Sequence, residues 1–281
     1  QAYRRPLSGI EVSRLSNLVD YAEQEGASFE RGIQLVVQAV LASPHFLFRT
    51  ELPDDDLEDG RVTNDYQLAS RLSYWLWSSM PDATLFELAE EDRLHEPEVL
   101  EAQVRRMLAD PKSVALVDNF ASQWLQIRNL ELVDPDTKRF PTFNDELRVA
   151  MRRETDLFFE AVIREDRSLL ELIDADFTFL NEQLAKHYGI EGVEGDEFRR
   201  VTLEDRARGG VLTQGSVLTV TSNPTRTSPV KRGKWVMDQL LAVSPPAEHR
   251  AAAAGGERLG RRAGRARAGR QRGGDPGPAR T

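Results

Sequence analysis

Apolar residues recur at intervals of three and four along most of the first 246 positions, and this spacing predicts a succession of helices punctuated by proline and glycine. Residues 7–26 and 29–42 form two helices, the second with Ile33, Val36, Val37, Val40 and Leu41 at helical spacing. Ser43-Pro44 ends it, because a residue before proline avoids the α region. A second helical block starts at Asn64, a good cap with Gln67 three residues on, and carries Leu68, Leu72, Trp75 and Leu76 on one face as far as Pro81. Pro97 suits a first helical turn, with Leu100, Val104, Met107 and Leu108 as the buried stripe behind it. Asp110-Pro111 breaks that helix and caps another, whose wide apolar face is Val117, Phe120, Ala121, Trp124 and Leu125. After a loop over 133–141 comes the longest helix, 144–164, with Leu147, Met151, Phe158 and Val162 inward. A short helix over 181–188 closes at Gly189, and 177–180 and 198–203 read as short extended pieces. The last helix, 228–241, takes Ser228 as cap, Pro229 in its first turn and Val236, Leu240 and Leu241 as buried positions.

The expected fold is therefore mainly α: packed helical bundle units, a short irregular or extended segment, and a disordered C-terminal tail. The tail is set apart by composition, since eight of the chain's 19 glycines and a single leucine lie in 247–281. Such a segment buries too little apolar surface to offset its ordering entropy. Charge divides at the same place. The tail holds nine arginines against three acids, so it carries +6, and the remaining 1–246 carry −15 of the overall −9. An acidic body makes nucleic acid an unlikely partner, while the arginine tail predicts salt-dependent binding that truncation at Pro246 removes. No apolar run reaches the length of a bilayer span. With no cysteine, the chain itself holds no disulfide, thiolate metal site or covalently attached haem. It begins Gln1-Ala2-Tyr3 without a leader and is read as a fragment or a processed product.

Several patterns that suggest chemistry are incomplete. In the acidic run 54–60, counting from Asp54 puts Asp59 and Asp65 where a calcium loop needs glycine and glutamate, and counting from Asp55 gives Gly60 but Tyr66, so the run reads as a solvated linker. His95-Glu96 lacks a second histidine four residues on, and His45, His187 and His249 are scattered, so no metal site is expected. His187 falls in a last helical turn, where the dipole favours an imidazolium. Ser216 follows Gly215 outside a nucleophile-elbow frame. Glu154 stands out because its helical spacing puts it between Met151 and Phe158, on the buried face. A buried carboxylate needs a partner, so the expectation is a core arginine, with a catalytic or ligand role as the alternative.

The segment 219–234 reads TVTSNPTRTSPVKRGK. Thr221, Asn223, Arg226, Ser228, Lys231 and Arg232 are its candidate anion-binding residues, grouped about the start of a helix. The alternative is a loop that pins two domains together through side-chain-to-backbone hydrogen bonds.

Longer motifs give the chain a family likeness. Tyr3-Arg4-Arg5-Pro6-Leu7, the run 42–49 (ASPHFLFR), the run 68–78 (LASRLSYWLWS), 176–181 (DFTFLN), 208–214 (RGGVLTQ) and 221–235 (TSNPTRTSPVKRGKW) together resemble the large cytochrome-associated proteins abundant in planctomycetes and related bacteria. In those terms residues 1–50 resemble the domain of unknown function 1595, 62–190 the domain of unknown function 1592, and 204–246 the truncated start of the cytochrome-like domain of unknown function 1588. The resemblance implies an exported protein, periplasmic or extracellular, whose partners are haem-bearing domains of the same longer chain. It implies c-type haem for the downstream part and no cofactor for this one. After Pro245-Pro246 an Ala-Arg-Gly-rich stretch replaces the expected proline-rich run, which suggests that 247–281 is a frameshifted tail. The expected function is a non-catalytic structural and interaction module that positions haem domains. The alternative is part of a redox or hydrolytic enzyme with an anion or substrate site at the 219–234 loop.

Overall fold

The computed structural model describes residues 1–49, 63–204 and 208–243, and over these the chain is mainly helical, with one two-stranded sheet among the described residues. The acidic run 54–60 and the tail 247–281 lie outside the described residues. Helix α1 (Gly9–Gln24) opens on a complete capping box, in which Ser8 accepts from Glu11 N–H and the Glu11 carboxylate accepts from Ser8 N–H. Both guanidinium arms of Arg5 donate to the same carboxylate at 2.8 Å, and this pair, with the Ser8 amide, draws the Glu11 carboxyl down to about 2. Helix α2 (Phe29–Ala42) packs against α1 at Gly32, where an added Cβ would come within 3.1 Å of Val19. Ser43 stops α2 as expected and then caps a further turn, α3 (Pro44–Leu47). Arg4 ties this hairpin to the next unit: its guanidinium donates to the carbonyls of His45, Phe46 and Phe48 and, at 3.2 Å, to the Tyr74 hydroxyl.

The second unit holds the core. Helices α4 (Asp65–Trp77), α5 (Ala83–Glu90) and α6 (Pro97–Ala109) lead to a bent helical stretch made of α7 (Val114–Leu116), a π-helical turn over Val117–Ala121 and α8 (Ser122–Trp124). The long helix α9 (Asp145–Arg164) follows, capped by Asn144, whose side chain accepts from Leu147 N–H at 2.8 Å. Its Phe158, Phe159 and Val162 join one apolar cluster with α4, α5 and the bent stretch. Its Leu147, Ala150 and Met151 join a second cluster with Leu130, Leu180 and Leu184. Strand β1 (Phe177–Leu180) pairs antiparallel with β2 (Arg199–Thr202), placing Thr178 opposite Val201. Between them α10 (Glu182–Tyr188) starts at the Asn181 cap and ends at Gly189, which adopts φ +73°.

Residues 208–243 fold back onto this unit. Helix α11 (Gly215–Val220) lies against α9, and α12 (Pro229–Trp235) runs into a second π-helical turn, Val236–Leu240. Two indoles fasten the seam: Trp235 Nε1 donates to the Leu125 carbonyl at 3.1 Å, and Trp124 Nε1 to the Gln239 carbonyl at 2.7 Å.

Helix positions follow the sequence expectation, but several side chains do not. Ile33, Val37 and Leu41 of α2 are exposed, because α1 covers only one side of that helix. Trp75, expected inward, is 58% exposed, since the buried stripe of α4 is Ala69, Leu72, Ser73, Leu76 and Trp77. Leu241 is exposed beyond the π turn. Helices α5 and α11, of eight and six residues, are too short to show a period and were not expected.

Candidate functional site

Glu154 lies at the centre of the most enclosed polar cluster. It is fully buried, yet no arginine among the described residues forms an ion pair with it, contrary to the sequence expectation. Its partners are hydroxyls: Thr178 of β1 donates to Oε1 at 2.7 Å and Tyr188 of α10 to Oε2 at 2.5 Å. The Tyr188 oxygen in turn accepts from the Gly215 amide at 2.6 Å, so one hydrogen-bonded chain links α9, α10 and α11. Arg208 approaches from the loop before α11, with its guanidinium 4.1 Å from the centre of the Tyr188 ring and a hydrogen bond to the Thr213 carbonyl. Burial pushes the Glu154 carboxyl up to about 7, opposed by the hydroxyl donors and by the nearby charge of Arg208. Burial and the Glu154 charge hold the Tyr188 phenol far above its ordinary range.

Glycine makes this arrangement possible. Gly209 and Gly210 run so close to the segment 173–175 that an added Cβ would lie 2.5 Å from the Ala175 oxygen and 2.2 Å from the Ile173 oxygen. Next to them, Thr155 and Ser216 share a buried hydroxyl contact of 2.6 Å, so Ser216 is a packing residue rather than an exposed nucleophile. Gln214 is also fully buried, and neither its amide nitrogen nor its amide oxygen has a hydrogen-bond partner among the described residues.

The candidate anion residues divide between two roles. Thr221 is buried, bonded to the Val217 carbonyl, and accepts from Arg232 Nε at 3.3 Å. Arg232 thus holds the end of α11 from within α12. Asn223 and Arg226 close a tight turn through paired backbone bonds. That turn meets the 133–141 loop, where Asp136 N–H donates to the Pro224 carbonyl at 2.9 Å and Arg139 to the Thr225 carbonyl at 3.2 Å. Ser228 caps α12 by accepting from Lys231 N–H. The side chains of Arg226 and Lys231 face solvent. The loop therefore carries bonds to the 133–141 loop and to α11, with two exposed cations beside them.

On the outside of the second unit runs an apolar groove of about 320 Å³. Trp75, Phe120, Trp124, Phe159 and Leu169 are among its walls. Phe120 stacks on Trp124 with ring centres 5.6 Å apart and is 42% exposed. The π-helical turn at Val117–Ala121 carries Phe120, and the second π turn receives the Trp124 indole, so both flank this aromatic wall.

Three family models match the chain in series: a protein of unknown function, DUF1595, over residues 1–51; another, DUF1592, over 63–190; and a third, DUF1588, over 208–273. The chain is a DUF1595–DUF1592–DUF1588 protein. These domains are of the cytochrome-associated family type. No curated protein and no solved structure matches the chain. The DUF1588 match continues to 273, beyond the Pro245-Pro246 boundary drawn from the residues. The groove belongs to the DUF1592 unit, and the Glu154 cluster spans DUF1592 and the opening of DUF1588. No helix among the described residues is long and apolar enough to cross a membrane.

Of the histidines, His187 departs from expectation: burial, and then the nearby charge of Arg208, lower its pKa. His45 lies 5.5 Å from the Tyr3 ring and 3.8 Å from a Glu11 oxygen. His95 gathers with Asp65 and Asp92, offering one ligand atom each within 4.8 Å, the only such trio among the described residues. The Asp65 carboxylate accepts from Leu94 N–H at 2.6 Å and from His95 N–H at 3.3 Å, which makes it a clamp on the turn after α5. Sequence reasoning missed this trio and Tyr188. Asp65 lies 27 residues before Asp92, and Tyr188 is 34 residues from Glu154, so no local spacing announces either.

Proposed function

We propose that this DUF1595–DUF1592–DUF1588 protein is a non-catalytic structural and interaction module of an exported cytochrome-like protein, and that its partners are haem-bearing domains of the same longer chain. The observation that carries the reading is the apolar groove, with its exposed Trp75 and Leu169 rim, next to the seam where the DUF1588 segment is already docked. An exposed patch of this kind marks an interaction site. Two further features support it. Most of the polar groups of the 219–234 loop are spent on internal bonds, and Glu154, a carboxylate with a raised pKa, is sealed from solvent.

Isothermal titration of this protein with a separately produced Cys-x-x-Cys-His domain of such a chain tests the reading. The wild type is expected to bind, and Trp75→Glu with Leu169→Glu to lose at least about tenfold in affinity while keeping its circular dichroism spectrum. No association of the wild type, or equal binding by the double variant, contradicts the reading. Arg226 and Lys231, exposed beside the α12 cap, favour a second reading, an anion or substrate site at this loop of a redox or hydrolytic enzyme. Millimolar phosphate that raises the melting temperature, with Arg226→Ala abolishing the rise, would support it. The module reading expects no shift.

A further inference from the structure

The joint between the DUF1592 unit and the DUF1588 segment is built around a carboxyl group that contacts no cation among the described residues. Glu154 reaches Thr178 and Tyr188, and Tyr188 reaches the Gly215 amide at the first residue of α11. Few other polar contacts seat α11 on α9: the Thr155–Ser216 hydroxyl pair and a 3.8 Å contact from Thr219 to the Met151 sulfur. The charge state of Glu154 is therefore felt directly where the third unit begins.

We propose that Glu154 is a proton-operated latch on this joint, its neutral form keeping 208–243 seated on α9 and its ionised form loosening the seat. A neutral carboxyl keeps both hydroxyl contacts by donating one of them and carries no desolvation penalty for charge. An ionised carboxyl keeps the same contacts but is held in a fully buried position without a counter-ion in contact among the described residues. Opening the joint returns it to water.

Among the described residues few groups face Glu154. β1 supplies the Thr178 hydroxyl, α10 supplies Tyr188 with His187 beside it, the loop before α11 supplies Arg208, and α11 reaches it through the Gly215 amide on the Tyr188 oxygen. Asp156, on the opposite side of α9 near Arg152 and Asp118, is also pushed up, to about 6. For Glu154 the folded value, about 7, lies above the ordinary 4.5. Closure is thus favoured below 4.5, and that advantage is lost as pH rises through 7.

Amide hydrogen exchange of the whole protein at Gly215 and along α11, corrected for the intrinsic base-catalysed rate, tests the latch. The opening equilibrium is expected to rise about tenfold between pH 6 and pH 8 in the wild type, by proton linkage. It is expected to stay flat in Glu154→Gln and to keep its rise in Asp156→Asn and His187→Gln. A flat wild type, or a rise that survives in Glu154→Gln, overturns the proposal. Should Glu154→Gln fail to fold, the wild-type Glu154 carboxyl carbon followed by NMR decides: a midpoint near 7 supports the latch and one near 4.5 overturns it.

Discussion

Replacing Gly210 with alanine is expected to destabilise the protein by about 3 kcal/mol or more, read as a lower midpoint in guanidinium unfolding. Two effects add. Gly210 adopts φ +77°, a left-handed conformation that L side chains rarely tolerate. The new methyl would also lie 2.2 Å from the Ile173 oxygen and 2.4 Å from its carbonyl carbon, and backbone atoms cannot swing aside as a side chain would. Relief requires moving the 208–214 loop off the 173–175 segment, which withdraws Arg208 from Tyr188 and Gly215 from the phenol. The control is Gly26→Ala, at a similar φ of +78° but in open space. It is expected to cost only the conformational part, about 1 kcal/mol. Equal losses for the two variants would show that the close approach is not what Gly210 serves.

Trp235→Ala is expected to cost about 3–5 kcal/mol, the range for truncating a buried large aromatic. Trp235 is 4% exposed and belongs to the main apolar cluster, and its indole satisfies the Leu125 carbonyl, which truncation leaves bare. Calorimetry of the variant should show a lower melting temperature for the DUF1592 unit, although Trp235 lies outside the residues that match it. A variant that leaves that unit's transition in place would mean that 208–243 contributes nothing to its stability. Trp235→Phe, which keeps most of the ring and loses the N–H, is expected to fall between the wild type and the alanine variant.

The helices were legible because their signals are local. Asn64 caps its helix as expected, Asn144 and Asn181, read as first helical residues, prove to be caps one position before the helix, and Gly189 closes α10 in the left-handed region. The burial of Glu154 was legible for the same reason, since residues 151, 154 and 158 share a helical face. Its partners were not. The expectation of an arginine rested on the general pairing of buried charge, whereas the fold meets the need with two hydroxyls from β1 and α10 and leaves Arg208 over the phenol ring, near Glu154 but not bonded to it. Burial of whole faces misled in another way. The strong apolar stripe of α2 and the indole of Trp75 look inward by period alone, but whether a neighbouring element arrives to cover them is a tertiary matter. The uncovered indole of Trp75 belongs to the groove on which the interaction-module reading rests. The family likeness rested on long ordered motifs, and the three matches fall in the order those motifs gave.

The account rests on residues 208–243 being part of the same packed body as the DUF1592 unit rather than a separate module tethered to it. Native-state hydrogen exchange at pH 6, where the latch is expected to be largely closed, tests this most directly. Amides of Phe158 in α9, Val217 in α11 and Trp235 in α12 are expected to open with the same free energy and to lose protection at the same denaturant concentration. Val217 and Trp235 exchanging through a much smaller opening while Phe158 stays protected would contradict the account.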